Sequence, residues 1–299
     1  MDKSPSPPTP RPQAAGILLA GTLMASSAAL WIRYLPEVPP MMIGFVRVAG
    51  AALLFLPLFI RQWRKRRPDW REFRYSVAAG AALALHFATW ITSLRYTTVA
   101  QSVLLVATHP IFVIAISLLL LGLPVRRNQI AGAAIAMLGV VTIHWLAAGD
   151  VLAALPEANP ALGNLLALLG GLFAAVYLLL GQAARRSLST ILHVEATYAT
   201  AAVLLLLFSA LAGQVSLPKP GPDWLFLGLL VLLPTAGGHT IFNWGLRRLG
   251  APVVSLFGLL EPLESALLAL LFLGEAVGLA TLAGGAIIIT GLAVALRRG

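Results

Sequence analysis

Cysteine is missing from the 299-residue chain, which excludes disulfides, thiolate metal sites and a cysteine nucleophile. Charge is scarce as well: Asp, Glu, Lys and Arg together make up 11% of the residues, against about 25% in an average soluble protein. Acidic residues are the scarcer sign, 11 against 21 Lys and Arg, for a formal net charge of +10. In a soluble chain that surplus would suggest nucleic acid. Here the cations stand in short clusters between long apolar runs, as membrane-topology signals do, and no nucleic-acid partner is expected. HExxH, GxSxG and Walker motifs are also missing, so a hydrolase or ATP-driven pump built on them has no support. The scattered histidines lack metal-ligand spacing. Neither metal, cofactor nor catalytic turnover is expected.

What the chain does contain is apolar sequence. Hydrophobic residues reach 59% and mean hydropathy is +0.88, which overrides the two soluble domains that length alone would suggest. The composition predicts an all-α integral membrane protein embedded in a lipid bilayer. Residues 1–13, with the proline-rich SPSPPTPRP, read as a disordered tail,. The apolar run that follows continues to about Tyr34, too long for a secretory signal, and reads as an uncleaved first span.

With about 20 apolar residues needed per crossing, ten spans fall near 14–35, 41–60, 75–94, 97–121, 128–148, 161–183, 190–212, 223–246, 250–273 and 276–296. If the N-terminus is inside, 17 Lys and Arg lie in inside segments, three (Arg33, Arg95 and Lys219) lie outside, and Arg47 lies within a span. That bias predicts both termini in the cytoplasm and a multi-pass protein of the inner membrane.

The chain matches itself at a shift of 152 without a gap. Leu94 falls on Leu246, Arg95 on Arg247, Pro110 on Pro262, Gly122 on Gly274, Gly132 on Gly284 and Gly139 on Gly291. Nearer the N-terminus, GILLA at Gly16 matches GNLLA at Gly163 at a shift of 147. Two five-helix repeats, 14–148 and 161–299, are therefore expected around an extracytoplasmic linker, 149–160. An odd number of helices per repeat makes the second copy inverted, which places a binding site near the midplane between the halves and provides for alternating access.

The stretch LRRLGAPVVSLFGLLEPLESALLALLFLGE from Leu246 to Glu275, with the five-plus-five arrangement and Gly284 and Gly291, resembles the drug/metabolite transporter superfamily in its ten-helix EamA form. HFATWITSLRYTTVAQSVLLVATHPIF, from His86 to Phe112, is similar to the YddG-type aromatic amino-acid exporters of that family. Leu123 departs from the pattern, standing where Glu275 stands in the second repeat. The resemblance implies export of small amphipathic metabolites, aromatic and other neutral amino acids foremost. A lipid-carrier flippase of the same superfamily, or an intramembrane enzyme using His109 and Glu261 as acid and base, are the alternatives.

Ionisable groups within spans are the first functional candidates. His109 and Glu261 precede Pro110 and Pro262 at that same shift of 152, so they belong at equivalent depths beside proline kinks suited to gating. Two readings stand: a coupling site in which Glu261 meets a cation, proton or substrate ammonium with His109 as polar partner, or a structural hydrogen bond. Glu264 follows on nearly the same helical face. His86, Trp90 and Ser93 share one face of the third span, and His239, Phe242, Asn243 and Leu246 repeat the spacing in the eighth,. These, with Tyr177 and Gln101, are candidate substrate contacts through aromatic stacking, cation–π attraction and hydrogen bonds. Thr22, Ser26 and Ser27 line the cavity or allow close packing.

The remaining polar groups read as structural. Arg47 is expected to meet outer-side carbonyls or Glu37, and Glu195 to meet Arg185 or Arg186. His144 and His193 read as solvated or capping residues near span ends. Trp31, Trp63, Trp70, Trp145 and Trp224 read as interfacial anchors, and Gly132, Gly139, Gly284 and Gly291 as close-packing positions.

Overall fold

The computed structural model describes residues 12–97, 99–147, 159–273 and 278–297. Most of the tail at 1–13, nearly all of the linker at 149–160, and Glu275 lie outside the described residues, as do the side chains of His144 and Trp145. Every regular element among the described residues is helical. Among the described residues, eight helices are long and apolar enough to cross a membrane, and two shorter apolar ones accompany them.

The first half comprises α1 (Pro12–Arg33), α2 (Pro40–Lys65), α3 (Trp70–Tyr96), α4 (Val99–Val106), α5 (His109–Leu119) and α6 (Arg127–Ala147). The second comprises α7 (Pro160–Ala184), α8 (Thr190–Leu211), α9 (Asp223–Leu230), α10 (Thr240–Leu249), α11 (Ala251–Phe257), α12 (Glu261–Leu273) and α13 (Leu279–Leu296). Starts and stops follow local chemistry. Asp69 and Ser189 cap α3 and α8 by accepting from the N–H groups of Glu72 and Leu192, satisfying donors that a helix start leaves open. Gly250, with φ +79°, takes the sharp reversal between α10 and α11 that a side chain would strain.

Proline breaks the rods where the sequence repeats. α4 ends at Val106 and α5 resumes at His109–Pro110, while a 3₁₀ turn at Gly258–Leu260 precedes Glu261–Pro262. A third irregularity is confined to one half. Between α9 and α10 the chain widens into a π-helix over Val231–His239 that contains Pro234. Proline lacks an N–H, and the wider turn leaves carbonyls to be met by side chains. The Thr235 hydroxyl donates to Leu230 O at 2.8 Å, and the Tyr198 hydroxyl donates to Thr235 O at 3.1 Å.

Small residues let the rods approach. α6 and α13 pack along their length, as do α2 with α8, α3 with α7, and α1 with the π-helix. A Cβ on Gly132 would stand 2.5 Å from Gly291 O, and one on Gly291 would stand 2.6 Å from Gly132 O. Gly139 and Gly284 meet in the same reciprocal way, each Cβ position 2.5 Å from the other's carbonyl oxygen. The expected close-packing role of these four glycines is what the structure has. Trp31 corrects the anchor reading: it is buried and packs on Phe226 and Phe272, because α1 turns that face into the bundle rather than toward lipid. Trp70 and Trp224 are exposed.

Candidate substrate site at the bundle centre

On α3 the rings of His86 and Trp90, one turn apart, stack with centroids 5.7 Å apart and planes 7° from parallel. His86 Nδ1 lies 2.9 Å from Gly170 O on α7. A carbonyl only accepts, so Nδ1 carries the proton and Nε2 is the free ring nitrogen of the neutral form. Gly170 makes the approach possible, since a Cβ there would come within 3.1 Å of Trp90 Cβ. From the second half, His239 at the end of the π-helix meets Phe87 edge-on, with centroids 5.4 Å apart. Its ring also lies 6.0 Å from Tyr177 and 6.2 Å from Phe242. The structure thus brings together five of the candidate contacts, His86, Trp90, Tyr177, His239 and Phe242, and adds Phe87.

Arg47 enters this cluster, which corrects its expected pairing with outer carbonyls or Glu37. Its side chain is fully buried, Nε donates to Thr235 Oγ1 at 3.0 Å, and the guanidinium lies 4.2 Å from the Phe87 ring centre. α2 packs against both α3 and the π-helix, and the widened turn puts a hydroxyl where the guanidinium can use it. Depth along a span, the basis of the sequence reading, does not show which way so long a side chain points.

Asn243 occupies a different setting from the open lining position expected of it. Its side-chain nitrogen donates to Tyr177 Oη and to His239 O, and its Oδ1 lies 2.9 Å from His193 Nε2. His193 Nδ1 in turn lies 2.9 Å from Ser76 Oγ. Since Asn243 Oδ1 only accepts, Nε2 carries the His193 proton and Nδ1 accepts from Ser76. His193, expected to be solvated or capping, is instead a fully buried hub joining α3, α8 and α10. Arg185 extends the network by donating from Nε to Asn243 O at 3.1 Å and from Nη1 to Leu188 O. Burial first, then the neighbouring Arg247 and Arg248, lower its pKa to about 10, so it stays cationic at neutral pH. Arg185 therefore does not pair with Glu195, whose Oε2 is buried without a hydrogen-bond partner among the described residues. The same arginine borders a cleft of about 760 Å³ at the basic end of the bundle, together with Ser189, Trp244, Arg247 and Arg248.

His109 and Glu261 flank Gly258: a Cβ there would stand 2.6 Å from His109 Cε1 and 3.7 Å from Glu261 Oε1. The two helix breaks therefore pack on each other, with Pro110 and Pro262 immediately beyond them. Glu264 has partners of its own on α1, accepting from Thr22 Oγ1 at 2.8 Å and Ser26 Oγ at 2.7 Å. Two hydroxyls on one carboxyl group tie α12 to α1, and each such hydrogen bond contributes about 0.5–1.5 kcal/mol net. Glu264→Ala is expected to destabilise the protein by about 2 kcal/mol, with Glu264→Gln retaining most of the stability. Thermal unfolding in detergent checks this, and an unchanged melting temperature for the alanine variant would contradict it. Gln101 lies half-buried on α4.

The EamA-like transporter family profile matches the chain twice, over residues 13–145 and 161–297. An uncharacterized transporter from Archaeoglobus fulgidus is 25% identical over 283 residues, spanning 95% of this chain and 96% of that protein. Among solved structures, one described simply as the crystal structure of a protein superposes with a TM-score of 0.78 at 22% identity, over 96% of this chain and 97% of that one. That likeness extends to the fold.

Proposed function

Because the chain belongs to the EamA-like transporter family, we propose that it exports small amphipathic metabolites, aromatic and other neutral amino acids foremost, across the inner membrane by alternating access. In this reading the chain crosses the bilayer ten times as two inverted halves, 14–148 and 161–299, with both termini in the cytoplasm. The two family matches, the proline breaks 152 residues apart and the reciprocal α6–α13 glycine contacts support the inverted repeat. The 17-to-3 distribution of cations supports the orientation,.

The observation that carries the substrate class is the ring cluster drawn from both halves, His86, Phe87 and Trp90 with Tyr177, His239 and Phe242. Stacked and edge-on rings match a flat apolar side chain, and their faces attract an ammonium group. Because both halves contribute, rocking one against the other opens the cluster first to one side and then to the other. Glu261 and His109, beside the helix breaks, are the groups placed to couple that motion to a cation, a proton or the substrate ammonium.

The test is uptake of labelled tryptophan, phenylalanine, threonine and a non-amino-acid control into proteoliposomes. Saturable uptake of the amino acids is expected, with KM about tenfold higher for Trp90→Ala, the equivalent of ~1.4 kcal/mol of lost stacking. No uptake above empty liposomes for any amino acid would overturn the reading.

A further inference from the structure

Arg47 buries its guanidinium among these rings, and most of its hydrogen-bonding capacity is unused among the described residues. A guanidinium has five N–H donors. Nε–H is taken by Thr235, whereas Nη1 and Nη2 are both buried without a hydrogen-bond partner among the described residues. The face of the group is covered by Phe87 at 4.2 Å, which leaves its in-plane edge as the direction for further bonds. Two neighbouring ring nitrogens share the condition: the Trp90 Nε1 donor and His239 Nδ1, whose role depends on the tautomer, are also buried without a hydrogen-bond partner among the described residues,. Among the described residues no ion pair joins Arg47 to an acidic side chain. A buried guanidinium with open donors is costly to maintain for structure alone.

We propose that Arg47 is the anion receptor of the central site and takes the carboxylate of the transported molecule in a bidentate pair through Nη1 and Nη2. The inference rests on the transport reading above and adds to it the group that recognises the acid function. Arginine suits the task because its planar fork matches the two carboxylate oxygens. With the carboxylate on Arg47, the apolar side chain of the ligand lies among His86, Trp90 and His239. Thr235 sets the rotation of the fork through Nε, so the π-helix acts as a positioning element for the receptor.

Calorimetric titration of the purified protein with three probes tests this: phenylalanine, 3-phenylpropionate, which lacks the ammonium, and phenylalaninamide, which lacks the carboxylate. Wild type is expected to bind both acids at least tenfold tighter than the amide. Arg47→Met should bring the acid-to-amide ratio to about one, and Arg47→Lys should leave it in between. An acid preference that survives Arg47→Met overturns the proposal while leaving the transport reading intact. Wild-type protein that binds all three equally does the same. If wild type binds none, the amino-acid reading falls, and thermal unfolding then decides the role of Arg47. A receptor with open donors predicts that Arg47→Met melts at or above the wild-type temperature, because an unpaired buried charge has been replaced by an apolar side chain. A melting temperature several degrees lower would make Arg47 a structural group and overturn the proposal.

Discussion

Gly139→Leu is expected to abolish recovery of folded protein. The reason is backbone contact: at this position a Cβ meets Gly284 O at 2.5 Å and Ile288 Cγ1 at 2.8 Å. A carbonyl in the facing helix cannot rotate away as a side-chain tip can, so α6 and α13 must separate. Separation loses packing along the whole of their contact, and in lipid that packing drives association because lipid tails compete on equal terms with apolar side chains. One extra methylene in a packed core costs about 1–3 kcal/mol, and leucine adds several carbons. Alanine at the same position should lower the melting temperature without preventing folding. Gly16→Leu is the control, since nothing lies within 4 Å of a Cβ at that position. The measurement is the monodisperse fraction on size exclusion after detergent extraction. Equal yields for Gly139→Leu and Gly16→Leu would contradict the packing argument.

Cross-linking across either end of the bundle is expected to reduce substrate flux to the level of empty liposomes. At the basic end α2 is joined to the start of α8: the Ser189 hydroxyl donates to Gln62 Oε1, and Arg66 Nη1 donates to Ser187 O at 3.1 Å. At the other end the Thr97 hydroxyl, just past α3, donates to Asn164 Oδ1 on α7 at 3.1 Å and joins the two halves there. If the halves rock, both seams must part in turn. Gln62→Cys with Ser189→Cys, and separately Thr97→Cys with Asn164→Cys, place thiols across them. The native chain has no cysteine, so a short thiol-reactive cross-linker has no other target. Flux should return when a cleavable linker is cut. Unimpaired flux with complete cross-linking at either seam would exclude alternating access as the transport mechanism.

Much of this architecture is legible in the chain because it depends on periodicity and on residues with one dominant physical consequence. Apolar runs of span length became helices, although α2 extends to Lys65 and α3 begins at Trp70, since polar residues beyond the apolar stretch remain good helix formers. Pro110 and Pro262 mark breaks because proline cannot complete a helical ladder. Gly132, Gly139, Gly284 and Gly291 mark the closest backbone approach because no larger residue fits. The stacked pair His86 and Trp90 follows from a spacing of four on one helix.

The groups the sequence left misplaced are those whose surroundings come from other helices. Arg47 and His193 sit at depths consistent with a surface-reaching or capping role, yet both are fully buried, one beneath a turn of α3 and the π-helix, the other between Ser76 and Asn243. Glu264 stands three residues from Glu261 but bonds to α1. The π-helix itself has one proline and two adjacent glycines as its only local signal, and its counterpart in α3 is regular. Sequence by itself determined the helices, their breaks and their close-packing positions, since each is set by the chain's own backbone sterics and hydrophobic period. Tertiary structure alone decided which polar groups share a partner and which keep free donors, because a hydrogen bond across helices depends on rotation and depth, which are fixed only when the rods pack.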